Sequence, residues 1–189
     1  MAVANYHEAY GCFPPAHVAD LNGKPRHSWR VLIRPILEQR QLYNACNLAE
    51  PWDGPNNRKL ADQLGRIYLR SDLDSSRFET ASFVAVVGPE TAWPGARPLS
   101  VKDLGDGSKN TLMAVEVPDG RFRWMEPRDL EFDRMSLGIN DGSGRGLGSR
   151  LGGARVVFAD GTVHTLPDNF DPSALRAMLT AKDGEAIEP

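Results

Sequence analysis

Cysteine is the scarcest chemistry in this chain: Cys12 and Cys46 are the only two in 189 residues. They are too few and too far apart for a thiolate zinc site, which needs paired spacing such as C-x2-C. A single disulfide stays open in an oxidising compartment. A buried thiol is the simpler reading for Cys46, which follows Leu42 and Tyr43 in a helical pattern. No stretch concentrates Lys and Arg with aromatics, and the formal net charge is -3 with a pI near 5.8. These features argue against a nucleic-acid partner. No apolar run reaches membrane-spanning length, and Met1-Ala2-Val3 opens directly into polar sequence without a signal peptide, which taken literally describes a soluble cytoplasmic protein. The G-x-S-x-G elbow, the P-loop and a G-x-G-x-x-G between strand and helix are all missing, as are sequence repeats. Nucleophilic triads and phosphate cradles therefore have no motif behind them.

What is present is ordinary globular material, 41% hydrophobic and 25% charged. The length suits one domain with a real core over residues 1–189. Eighteen Gly and fourteen Pro promise many loops. The strongest local signal is Gly152 to Leu166, where two β-rich runs flank Asp160-Gly161 and predict a β-hairpin with a two-residue turn. That register pairs Phe158 with Val163 and Val156 with Thr165 on the more apolar face. Arg155, Val157, His164 and Leu166 then share the other. A lone hairpin is marginal in water, so it must belong to a larger antiparallel sheet.

Val3, Tyr6, His7 and Tyr10 recur at helical spacing, with Gly11 and Pro14-Pro15 as a stop. The run from Trp29 to Tyr43 predicts a helix that Pro35 kinks or restarts. A short helix over 58–64 is expected after a cap at Asn56 or Asn57, ending at Gly65. Ala81 to Val87 and Thr111 to Val117 predict strands closed by Gly88-Pro89 and Pro118-Asp119-Gly120. Asp171 and Pro172 open a helix that Asp183-Gly184 ends. Helices early and strands later make an α+β domain with helices on one side of an antiparallel sheet.

Three groups of residues deserve a chemical reading. Trp52, Asp53, Asn56 and Asn57 could form a platform that stacks on and hydrogen-bonds a sugar or peptide. The simpler reading is a buried Trp52 anchoring a loop whose polar groups satisfy its own backbone, because Asx side chains bond locally so readily. Asp103, Asp106 and Asn110 gather oxygen ligands that would suit calcium, but the D-x-D-x-D-G order is absent and a capped turn is the simpler reading. Glu116, Glu126, Asp129, Glu131 and Asp133 are dense enough to contain an acid/base pair, although a solvated charge run is the usual case. The glycine-rich connection over 136–153 is expected to be mobile.

Several segments together resemble the bacterial DUF1559 family: Asn5-Tyr6-His7-Glu8-Ala9-Tyr10-Gly11, Phe13-Pro14-Pro15, His27-Ser28-Trp29-Arg30-Val31-Leu32, Glu50-Pro51-Trp52-Asp53-Gly54-Pro55-Asn56-Asn57, Phe83 to Pro89, Trp124 to Leu130 and Phe158-Ala159-Asp160-Gly161. Members of that family resemble pseudopilins of type II secretion. The resemblance implies a pilin- or pseudopilin-like fold, an N-terminal helix packed on an antiparallel β-sheet with extra helices and long loops. Met1 to Tyr10 would be the stub of that helix, whose apolar upper part and prepilin leader are missing here. Two departures stand out. Arg150 occupies the place of a family His that nine residues separate from Asp-Gly, and Leu69-Arg70-Ser71-Asp72 lacks an expected Cys.

The resemblance implies a structural role without catalysis or cofactor. The head would be anchored in the cell envelope through the missing helix, with other pseudopilin-like subunits or secretion machinery as partners. Two alternatives stay open: an extracytoplasmic glycan- or small-solute-binding module built on Trp52, and a hydrolase using the carboxylates near Glu116 and Glu126.

Overall fold

Pro35 sets the shape of the first third of the chain. It has no N–H to continue a helix, and its ring would collide with the carbonyl of Val31. In the computed structural model, which describes residues 2–61, 80–118 and 122–182, the expected helix is accordingly divided. Ser28 caps a single turn, α2 (Trp29–Leu32), by accepting from the Arg30 amide. A 3-10 turn follows over Arg34–Leu37 with Pro35 in its first turn, and Glu38 leaves it in the left-handed region at φ 59°. The helix then restarts as α3 (Arg40–Ala45).

The other elements, in chain order, are α1 (Ala2–Tyr10), β1 (His17–Ala19), β2 (Pro25–Ser28), α4 (Asn57–Ala61), β3 (Thr80–Ala81), β4 (Phe83–Val84), β5 (Val86–Val87), β6 (Leu112–Glu116), β7 (Phe122–Arg123), β8 (Leu130–Glu131), β9 (Ala154–Phe158), β10 (Val163–Leu166) and α5 (Pro172–Leu179). The main sheet is antiparallel, in the order β10-β9-β6-β4. All five residues of β6 are buried, as a central strand covered on both faces requires. Helices and antiparallel sheet thus make the α+β arrangement that the sequence implied.

The strand expected over 81–87 is broken into three. β4 joins the main sheet, β3 pairs antiparallel with β7, and β5 pairs parallel with β8. Each intervening residue binds elsewhere. The Val117 amide donates to the Ser82 carbonyl at 2.8 Å, and the Leu130 amide donates to that of Ala85 at 3.1 Å.

The hairpin forms, with a different turn and register from those expected. The pairs are Val163 with Val157, His164 with Val156, Thr165 with Arg155 and Leu166 with Ala154. The Gly161 amide donates to the Phe158 carbonyl at 2.9 Å, Phe158 pairs back to Thr162, and Gly161 sits at φ 88°. This is a three-residue loop with a glycine bulge. A one-residue slip moves a whole strand to the other face. Leu166 is therefore buried beside Val156, His164 meets Phe158 edge-on at 5.4 Å, and Val163 stands 56% exposed.

Among the described residues, two apolar clusters fill the interior. One gathers Val3, Phe13, Trp29, Trp93, Met113 and Trp124. The other joins Val84, Val115, Val156, Leu166, Leu175 and Leu179. The helix that packs against β6 is α5, whose cap is as expected: Asp171 accepts from the Ser173 and Ala174 amides. It stops sooner than Asp183-Gly184, which lies outside the described residues. Thr180 is already extended and bridges to Thr91. The α1 helix ends at Gly11, whose amide donates to the His7 carbonyl, and it lies against the 3-10 turn at Arg34–Leu37. Val3 is buried, Tyr6 packs on the first cluster, and Tyr10 stacks on Tyr6 while staying 58% exposed. Among the described residues, no helix is long and apolar enough to cross a membrane.

Candidate functional site

The Trp52 loop is organised by two residues whose roles differ from those expected. Neither Asn56 nor Asn57 caps α4 with its own side chain. Glu50 does so from the preceding turn, its carboxylate accepting from the Asn56 amide at 2.9 Å and the Asn57 amide at 2.7 Å. A negative group at a helix start also suits the helix dipole. Asn57 is fully buried. Its side chain accepts from the Asn47 amide at 2.9 Å and donates to the carbonyls of Asn47 and Pro51 at 2.9 and 3.0 Å. The indole of Trp52 is half-buried against the first core cluster, with its amide donating to the Arg26 carbonyl and the Arg123 guanidinium 5.9 Å from its ring. Asp53 and Asn56 are exposed. Trp52 and Asn57 thus serve the loop's interior, while Asp53 and Asn56 face solvent. The rest of the expected 58–64 helix, and Leu69 to Asp72, fall outside the described residues.

Beneath this loop lies His27, fully buried. Among the described residues neither ring nitrogen makes a hydrogen bond of good geometry. Burial pushes the imidazole below its usual range and Arg26 adds to this, while the backbone of Glu50 and Leu48 and the Glu50 charge oppose it. A pKa lower in the folded than in the unfolded chain means that the unfolded chain binds the proton first. Stability is therefore complete above about pH 6.5 and declines as the pH falls, levelling off below the folded value. His17 is also lowered, by burial, so the His27 share is isolated by comparing wild type with His27→Gln in urea melts across that range. The variant is expected to have the shallower acid limb; parallel curves would rule out the assignment.

Two of the three side chains considered for calcium, those of Asp103 and Asn110, serve turns or the backbone near them. Asp103 accepts from the Ser100 amide at 2.7 Å and its hydroxyl at 2.8 Å, which holds its carboxyl below the usual range. Asn110 donates to the backbone carbonyl of Asp106 at 3.0 Å. Among the described residues, no three His, Cys, Asp or Glu side chains are grouped to hold a metal. Cys12 and Cys46 are free thiols, and burial raises that of Cys46.

The carboxylates divide into buried and exposed sets. Glu116 is fully buried and accepts from the Arg155 amide and its Nε, both at 3.1 Å. Asp129 is buried with Arg30. Its Oδ1 lies 2.5 Å from the guanidinium, and it also accepts from the Ala85 amide at 2.8 Å and the Trp29 indole at 3.3 Å. Burial pushes the Asp129 carboxyl up, and Arg30 with the two N–H donors pulls it back. Arg34 is buried as well, 3.7 Å from the Trp124 ring centroid. Glu126 and Glu131 pair at the surface with Arg128 and Arg134, at 3.4 and 3.0 Å.

Arg128 and Arg134, with Arg145, border a cavity of about 240 Å³ walled by Leu130, Met135 and Gly144. Asp129 and Glu131 also touch it, but the carboxylate of Asp129 is turned inward onto Arg30. The sequence reading passed over the buried arginines. Their signal was two cations four residues apart within an apolar run beside Trp29.

The glycine-rich connection, expected to be mobile, is held at many points. Asn140, left-handed at φ 53°, donates to Asp168 at 2.7 Å and to the Gly153 carbonyl at 3.1 Å, and accepts from Ser149. Ile139 and Leu147 are buried beneath it. Hydrophobic anchors at these two positions offset the conformational entropy its glycines lose on ordering. Arg150 is exposed and borders a second cavity of about 300 Å³ with Asn140 and Pro118.

Residues 1–69 match the family model SBP_bac_10, described as a protein of unknown function (DUF1559). The segments noted from Asn5 to Asn57 fall within that match; those from Phe83 onward lie beyond it. No curated protein and no solved structure matches the chain.

Proposed function

We propose, from the match of residues 1–69 to the DUF1559 family model, that this chain is the head of a non-enzymatic, envelope-anchored structural protein of pseudopilin-like type. It would work without a cofactor, beside other such subunits or secretion machinery. The observation that carries the reading is how α1 is fastened. Val3 enters the core, Tyr6 lies on it, and Gly11 closes the helix, so a force applied along α1 reaches the body of the domain.

Buried charge points the same way. Arg30 and Asp129, and Glu116 with Arg155, bind each other and the backbone, which positions strands and leaves no carboxylate of these pairs poised toward solvent. An apolar segment preceding α1 would supply the membrane contact by burying its hydrocarbon surface.

The test is the native gene product. It is expected to carry an apolar segment upstream of Met1 and to fractionate with membranes, whereas residues 1–189 alone stay in the supernatant. A native protein that starts at Met1 and remains in the supernatant would overturn the reading.

A further inference from the structure

We propose that the cavity bordered by Arg128, Arg134 and Arg145 binds a compact organic oxyanion, a carboxylated or phosphorylated small molecule. This is independent of the anchoring role. The three guanidiniums come from separate stretches: the approach to β8, the turn after it, and the glycine-rich connection. All three residues border one space of about 240 Å³, a little under the usual size of small-ligand sites. Leu130 and Met135 give it an apolar wall, and Gly144 contributes no side chain to fill it. A guanidinium presents a planar fork that matches carboxylate and phosphate oxygens two at a time. A carbon body of sugar size would rest on the apolar wall.

The lining favours an anion. Three of the residues that border the space are arginines, and one, Glu131, is a carboxylate not turned away, because Asp129 is directed onto Arg30; Glu126 beside Arg128 and Asp141 beside Arg145 are not among the lining residues. The pairs Arg128–Glu126 and Arg134–Glu131 have exposed arginines, 55% and 79% on their side chains, and pairs of that kind hold weakly. An incoming oxyanion can therefore replace Glu131 at Arg134 without leaving a charge buried and unmatched. Arg145 is exposed on the connection beside Asp141, whose carboxyl is held low by hydrogen bonds from Ser136 and Ser143 and, least of all, by the Arg145 charge. The connection that carries it is fixed through Asn140.

The experiment is titration of the whole chain at low ionic strength, followed by NMR, with D-glucuronate, D-glucose 6-phosphate and D-glucose as probes. At least one of the two anions is expected to bind saturably, and which one distinguishes a carboxylate from a phosphate ligand. Glucose is expected not to bind. Arg145→Gln should weaken the bound anion about tenfold, the loss of one charge-assisted hydrogen bond. Glu131→Gln should tighten it by releasing Arg134. Arg40→Gln, on the exposed face of α3, should change nothing. No saturable binding of either anion would overturn the proposal, as would binding that the double variant Arg134→Gln/Arg145→Gln leaves intact.

Discussion

Asp129→Ala is expected to cost about 3–5 kcal/mol of folding stability, the usual penalty for removing one partner of a buried ion pair. The substitution takes the Asp129 carboxylate from Arg30, which is fully buried, and the acceptor from the Ala85 amide and the Trp29 indole. Arg30 keeps the Phe83 carbonyl and Ser28 hydroxyl, so its charge loses the Asp129 carboxylate while part of its hydrogen bonding survives. The defect should spread, because Asp129 sits between β4 and β5 on one side and β8 on the other and ties α2 to both. Urea unfolding at neutral pH measures it as a lower midpoint with unchanged slope.

A double variant, Arg30→Met/Asp129→Leu, tests the cause. Replacing both charges by apolar groups removes the buried cation, so it should recover a large part of the loss. A single-variant loss below about 1 kcal/mol, the range of a surface pair, would show that Asp129 does not tie α2 to these strands.

Asn57→Ala is expected to cost about 2–3 kcal/mol, because unmaking hydrogen bonds to buried backbone groups carries their desolvation penalty. One amide side chain currently serves the Asn47 amide and the carbonyls of Asn47 and Pro51. Losing it releases the turn that brings Glu50 to the start of α4. Trp52 rides on the same segment, so its fluorescence should move toward the solvent-exposed value, and protease should cut between residues 47 and 57. Asn56→Ala is the control. Its side chain is exposed and donates to Glu50 at 3.1 Å, a contact expected to be worth under about 1 kcal/mol. Equal losses in the two variants would mean that burial of Asn57 contributes nothing.

These two residues also show where sequence reading succeeds and where it stops. Asn57 was legible as a turn-former, and the inference that an Asx-rich loop satisfies itself matches its bonds. That Glu50 rather than an asparagine would cap α4 was not legible, since the choice depends on where Gly54 folds the chain back. Asp129 looked like one member of an acidic run. Burial against Arg30, 99 residues distant in sequence, is a property of sheet pairing that no local pattern records.

The sequence by itself determined the elements whose cause is local. Gly11 closes α1, Asp171 and Pro172 open α5, and Pro35 breaks the helix after Trp29, because caps and ring sterics act within one turn. It also determined that Asp160-Gly161 turns a hairpin and that residues 1–69 carry a family pattern. Only the tertiary structure decided the register of that hairpin, the division of residues 80–87 among three partners, and the gathering of Arg128, Arg134 and Arg145 around one cavity. A strand's partner is chosen by competition among distant segments for backbone hydrogen bonds and for a place in the core. That competition is settled only when the whole chain is packed.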